Sequence, residues 1–162
     1  MGDRVTLISD GVLQQVGSPD TVYENPANVF VAGFIGSPAM SFNRFSVTHS
    51  DGTMRLVRCD LRLQVSSSEP VPQEVIAGVR PEHTQLWEQD ADLIGPIQGR
   101  VQFAESIGRE TFAGVVSSDD THFTIQMEGR HHIELDEMLC FGLQPGWLYL
   151  FDPSTERMIG RI

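Results

Sequence analysis

The most chemically loaded stretch is Arg80-Pro81-Glu82-His83, which follows the apolar run Val75-Ile76-Ala77-Gly78-Val79. An arginine and a glutamate at a strand end can make directed, charge-assisted hydrogen bonds across an interface or to a ligand. The alternative, an intrachain ion pair beside a rigid proline turn, is the favoured reading. Glu110, in Ile107-Gly108-Arg109-Glu110-Thr111, is similar: Gly108 suggests a bend, and a solvated turn charge is favoured. His122, His131 and His132, with Glu128, Glu134 and Asp136 nearby, include the donor types of a metal site. Adjacent histidines on an extended chain point to opposite faces, however, so a polar loop is favoured and no metal is assigned. No serine sits in a GxSxG setting, and no catalytic residue is assigned.

An ATPase needs a phosphate cradle of the GxxxxGKS or GxxxxGKT type, in which backbone amides and a lysine hold the phosphates. The chain has no such motif and no lysine at all, its 11 basic residues all being arginines. No cofactor is assigned. Trp147, Tyr149 and Phe151 alternate and share one face of a strand. Exposed, they could stack on a sugar; alternating bulky residues more often form the inward face of a barrel, and core is favoured.

The elements that must position these residues begin with a β-hairpin over Arg4 to Gly17. Val5–Ile8 and Val12–Val16 are joined through Asp10-Gly11, a pair suited to the positive φ values of a tight turn. Ser18-Pro19-Asp20 supplies an N-cap, an N1 proline and an acid for a helix from Pro19 to Glu24, which Pro26 stops by Asn25. Asn28 caps a second helix running from Val29 to Ile35, ended by Gly36 and Pro38. Its side chains are apolar all round, which calls for burial on more than one side.

From Ser41 onward short β-prone runs alternate with turn residues: Phe45–Thr48, Met54–Val57, Val75–Val79, Ile97–Phe103, Phe112–Val116, Phe123–Met127 and Leu148–Phe151. That spacing predicts a mainly β fold, a small barrel or sandwich. Ser50-Asp51-Gly52 and Ser117-Ser118-Asp119-Asp120 are turn candidates, and Ser66 to Pro70 reads as a loop.

The 162 residues suit one domain or two small ones, and no apolar run approaches the ~20 residues of a membrane span. No membrane insertion is expected. The amino terminus lacks the features of a secretory signal, so the expected location is the cytoplasm. A formal charge of −11 would repel a phosphate backbone, which excludes nucleic acid as a partner. Cys59 and Cys140 are far apart, outside any CxxC pair, and read as reduced packing residues.

Several stretches together resemble the end of the ATP-binding subunit of carbohydrate-importing ABC transporters, the maltose and glycerol-phosphate importer group. Met1 to Val5, Asp10-Gly11 and Gln15-Val16-Gly17 look like the last hairpin of the nucleotide-binding domain. Ser18-Pro19, Val22-Tyr23 and Pro26-Ala27-Asn28 resemble the linking helix, and Phe30 to Met40 is the most specific stretch. Gly78-Val79-Arg80-Pro81-Glu82-His83 resembles the signature of the appended domain, and Ile107 to Thr111 a later turn. Ser41 stands where an asparagine is usual.

The resemblance implies that residues 1–40 are a remnant of the nucleotide-binding domain and 41–162 an OB-like regulatory domain, often called TOBE. It places the phosphate-binding loop, ABC signature, catalytic glutamate and switch histidine upstream of Met1, so ATP and Mg are expected only for the full-length subunit. It also implies a homodimer held by β-domain contacts, permease subunits as partners, and a position peripheral to the inner membrane. Phe34, Ile35, Arg80, Glu82 and Glu110 are the candidate interface or regulatory residues. The alternative is a small-ligand module that binds a sugar or an oxyanion, the net acidity arguing against the anion.

Overall fold

The structure, a computed structural model, describes residues 3–50, 53–66, 70–88 and 91–162. The proposed Ser50-Asp51-Gly52 turn and the 66–70 loop fall partly outside the described residues.

The chain opens with the expected hairpin, β1 (Val5–Ser9) and β2 (Val12–Gly17). Asp10 and Gly11 turn it with φ of 50° and 77°, the left-handed pair that matches the twist of the flanking strands. Helix α1 (Pro19–Glu24) is capped by Ser18, whose Oγ accepts the Thr21 N–H at 3.2 Å. Helix α2 (Val29–Phe34) is capped by Asn28, whose Oδ1 accepts the Val31 N–H at 2.9 Å. Leu7, Val22 and Val31 bury one another and hold the hairpin and both helices together.

The remaining strands are β3 (Ser41–Ser50), β4 (Thr53–Arg58), β5 (Leu61–Val65), β6 (Glu74–Val79), β7 (Thr84–Leu86), β8 (Ile94–Ile107), β9 (Glu110–Ser117), β10 (His122–Glu128), β11 (Met138–Leu143), β12 (Tyr149–Phe151) and β13 (Met158–Arg161). A short 3₁₀ turn, Pro81–His83, joins β6 to β7. Five strands form one sheet in the order β10-β9-β8-β11-β7, and six form another, β13-β12-β6-β3-β4-β5. The five-stranded sheet curls until its two edges approach, Thr84 Oγ1 of β7 accepting the Gln126 N–H of β10 at 3.2 Å. The result is the nearly closed, mainly β barrel that the strand spacing predicts. Its main core runs from Leu56, Leu63 and Val75 of one sheet to Ile97, Val115, Ile125 and Phe141 of the other.

Two expectations are corrected here. Trp147, Tyr149 and Phe151 do not face the barrel interior; Leu148 and Leu150 do. Tyr149 and Phe151 instead build a second core with Ala32, Met40 and Ile76, flanked by Val29, Phe42 and Trp147. The six-stranded sheet is covered on its outer face by α2, so β12 is apolar on both sides and alternation alone could not choose its inward set. Cys59 is not a packing residue: it is exposed in the β4–β5 turn with φ of 47°, whereas Cys140 is half-buried.

The arrangement also answers the demand of the apolar second helix. Val31 faces the hairpin and α1, and Ala32 faces the sheet, both without exposed surface. Only Phe34 remains largely in solvent, 66% exposed and stacked on Phe30.

Close packing of the barrel against a neighbouring backbone is tight at Gly99. It lies in β8 between Ser117 of β9 and Leu139 of β11, and a Cβ there would stand 2.8 Å from the Val116 carbonyl oxygen. A neighbouring backbone paired into the sheet cannot retreat as a side-chain tip can. Gly99→Ala is therefore expected to cost about 1–3 kcal/mol, read as a lower urea midpoint with an unchanged slope.

Candidate functional site

β6 is buried along nearly its whole length and delivers Arg80 beneath the two helices. The guanidinium is 1% exposed and lies over the Tyr23 ring, 3.8 Å from its centroid. Nη1 donates to the Ile35 carbonyl at 2.5 Å and makes a longer contact, 3.5 Å, with that of Ala32. Nη2 donates to the Tyr23 carbonyl at 2.9 Å. Ala32 and Tyr23 belong to the last turns of α2 and α1, and Ile35 is the C-cap of α2. Carbonyls at a helix C-terminus lack intrahelical donors and carry the negative end of the helix dipole. One cation thus caps two helices.

Gly36, with φ of 121°, lets the chain pass closely, since a Cβ there would stand 2.9 Å from Nη1. The favoured ion pair is overturned: among the described residues the ion pairs are Arg58–Asp119, Arg100–Asp136 and His122–Asp120. The physical reason is that Glu82 is engaged elsewhere. Burial lowers the Arg80 pKa below its ordinary value, opposed by attraction to Tyr149. Arg80 Nε and the Tyr149 hydroxyl are both buried, and neither has a hydrogen-bond partner among the described residues.

The Glu82 carboxylate accepts a hydrogen bond from the Tyr23 hydroxyl, so the ring that carries Arg80 on its face also holds Glu82 at its tip. Burial pushes the Glu82 pKa above the usual carboxylate value, with repulsion from Glu110 adding to it against the pull of its own backbone N–H. His83 stacks on Trp147 with centroids 4.0 Å apart, and Arg161 lies 4.3 Å over the same indole. Burial lowers the His83 pKa; the nearby charges of Arg80 and Arg161 act in the same direction, while a hydrogen bond with Gln144 opposes them.

Of the candidate residues, the structure gathers Ile35, Arg80 and Glu82 around Tyr23. Glu110 is exposed at the start of β9, its Oε1 accepting from Gln126 Nε2 at 2.9 Å. Phe34 takes no part in the cluster. Tyr23 was not singled out from the sequence, where it was one aromatic in a six-residue helix. Among the candidate metal ligands, His131 Nε2 is 2.7 Å from the Glu128 carbonyl and His122 Nε2 is 3.5 Å from Asp120. Among the described residues no group of three or more His, Cys, Asp or Glu side chains could hold a metal ion. Exposed apolar side chains concentrate on the hairpin, at Ile8, Val12 and Leu13, and on the barrel, at Phe103, Ile107, Leu135 and Met138.

Two outcomes are expected from this geometry. Arg80→Met keeps the bulk but leaves the helix carbonyls without a donor, and should cost at least about 1.5–3 kcal/mol, the range for a hydrogen bond to a charged group. Hydrogen exchange should accelerate across residues 19–35 more than in the barrel. The second outcome concerns acid. A histidine whose folded pKa lies below the 6.5 of the free side chain binds more protons when unfolded. Stability it contributes at neutral pH is lost as pH falls from 6.5 through the folded value. The stability gap between the parent chain and His83→Gln should therefore shift in favour of the variant on acidification below 6.5, measured by urea melts at fixed salt.

Residues 77–151, from β6 through β12 and so including Arg80, Glu82 and Glu110, match the TOBE domain family. The chain is 38% identical over 85% of its length to the trehalose import ATP-binding protein SugC of Mycobacterium tuberculosis, covering 35% of that protein. It is 33% identical over 98% of its length to the sn-glycerol-3-phosphate import ATP-binding protein UgpC of Ruegeria pomeroyi, covering 43% of it. A similar match, 32% over 96%, is to the oligosaccharides import ATP-binding protein MsmX of Bacillus subtilis, with 44% of that protein covered. The chain spans less than half the length of these curated relatives. Residues 77–151 are thus a TOBE domain, and the chain that carries them is homologous to the ATP-binding subunits of carbohydrate-importing ABC transporters.

Proposed function

We propose that this chain serves as the non-catalytic regulatory and dimerising region of a sugar-importer ATP-binding subunit. Residues 1–40 would belong to the nucleotide-binding part and 41–162 to the regulatory domain. The observation that carries the reading is the Arg80 clasp, through which a TOBE domain side chain fixes both helices of the amino-terminal segment. A rigid joint of this kind lets a change felt by the β domain move the segment beside it. The 162 residues contain no phosphate-binding lysine, so ATP and Mg belong to this reading only through a full-length subunit. Permease subunits are the corresponding partners, at the cytoplasmic face of the membrane. No described helix is long and apolar enough to cross a bilayer.

Dimerisation through the β domain draws on the exposed Leu135 and Met138, with Phe103 on the adjacent strand. Exposed apolar surface of this kind favours self-association. Light scattering is expected to give twice the chain mass at high micromolar concentration, and Leu135→Asp with Met138→Asp should shift the mass toward the monomer. A parent chain that remains monomeric would reject the dimer, and ATP turnover surviving rigorous purification would reject the non-catalytic reading. A second reading, a small-ligand binding β module, draws on a groove between β7 and β10.

A further inference from the structure

The barrel is not sealed where its two edge strands meet. A groove of about 510 Å³ lies beside the acidic 132–137 loop, but one of about 500 Å³ lies in the seam itself, lined by Gln85 and Leu86 of β7 and Gln126 and Glu128 of β10. Glu82, His131 and Gln144 also line it. Edge strands present backbone N–H and C=O groups without a ladder partner, so the seam combines backbone polar groups with side-chain amides, carboxylates and an imidazole.

The size and chemistry select among occupants. An extended peptide inserted as a further strand needs about 9.5 Å between the edges, twice the usual strand spacing. Thr84 Oγ1 already takes the Gln126 N–H at 3.2 Å, so the edges stand too close for that. An oxyanion would meet Glu82 and Glu128, and no arginine is among the lining residues. A hard divalent cation needs six or more oxygen ligands, and no such cluster of carboxylates occurs among the described residues. A neutral polyhydroxylated molecule fits instead: each hydroxyl both donates and accepts, and can pair with an amide, a carboxylate and an edge carbonyl at once. The volume falls within the range usual for small-molecule sites.

We propose that the seam between β7 and β10 binds a neutral sugar or polyol, and that Glu82 reports its occupancy to α1. Glu82 is the joining element because it lines the groove and accepts the Tyr23 hydroxyl at the same time. Its half-buried position and raised pKa mark a spot already poor in water, where a hydroxyl donor is welcome. This develops the ligand-binding reading and does not depend on dimerisation.

Isothermal titration of the chain with maltose, glucose and myo-inositol tests it, with sulfate and an arginine-rich peptide as contrasting arms. The expected result is saturable millimolar-range binding of at least one neutral probe, without sulfate binding. Gln126→Leu should weaken it roughly three- to tenfold, the loss of one neutral hydrogen bond. Gln85→Leu, at an exposed position on the edge strand, provides a second variant should the first unfold. Saturating probe should also slow hydrogen exchange in residues 19–24, and Tyr23→Phe should abolish that slowing while retaining binding. Absence of saturation at tens of millimolar for all three neutral probes would overturn the proposal. So would binding that neither groove variant changes, or a peptide that occupies the seam in their place. Failure of these titrations would leave the scattering mass of the dimer untouched, and a monomeric mass would leave the titrations untouched.

Discussion

The seating of α1 and α2 on the β strands turns on a buried guanidinium, that of Arg80, beside the apolar contacts of Ala32. Among the described residues no carboxylate pairs with Arg80 to offset its removal from water, yet desolvating a charge without compensation costs several kcal/mol. Compensation comes from carbonyl oxygens at the ends of α1 and α2, which are themselves short of donors. Each side supplies what the other lacks. A planar fork can reach carbonyls of two helices in fixed directions, whereas an ammonium on a flexible stem concentrates its donors at one point. The ring of Tyr23 completes the arrangement by offering its electron-rich face to the cation.

Helices of six residues are too short to persist alone, because the nucleation cost is spread over very few hydrogen bonds. Their N-termini are secured locally by Ser18 and Asn28. Their C-termini are secured from a distance, by a residue more than forty positions away in the sequence. The apolar contacts follow the same division: Leu7, Val22 and Val31 unite the hairpin with the helices, while Ala32 seats α2 on Met40, Ile76 and Phe151. The second of these clusters fixes the orientation in which Arg80 can reach both helix ends.

What could be read from sequence divides along the same line between local and distant causes. The hairpin turn, both N-caps and the ends of the helices follow from neighbours within a few residues, and the structure places them as expected, α2 ending one residue early at Phe34. Of the strands left unassigned, β5, β7 and β13 are short or interrupted by polar residues and acquire their conformation from a ladder partner rather than from their own pattern, whereas β11 is a six-residue run without a charged or amide side chain. The sidedness of Tyr149 and Phe151 depended on α2 covering the outer face of the sheet, which no periodicity within β12 records. The clasp was half legible. Arg80 and Glu82 stood out as a charged pair, but their nearness in sequence suggested they would pair with each other, and Tyr23 gave no sign that it would stand between them.

That separation of neighbours is a property of the 3₁₀ turn that begins at Pro81. Such a turn advances by about a third of a revolution per residue, so successive side chains leave it in different directions. Arg80, just before the turn, reaches the helices; Glu82 meets Tyr23 and the groove; His83 lies flat on Trp147 near the end of the chain. Thr84 then begins β7 and ties the turn down by donating to the Pro81 carbonyl at 2.6 Å. Five consecutive residues therefore touch the amino-terminal helices, the barrel seam and the β12 region. The proline and the hydrogen bonds of the turn leave this segment few conformations of its own. Burial lowers the pKa of His83, with the charge of Arg80 acting in the same direction, and burial raises that of Glu82, with the charge of Glu110 adding to it. The stretch thus works less as a pair of opposite charges than as a hub, each of whose side chains is committed to a different part of the fold.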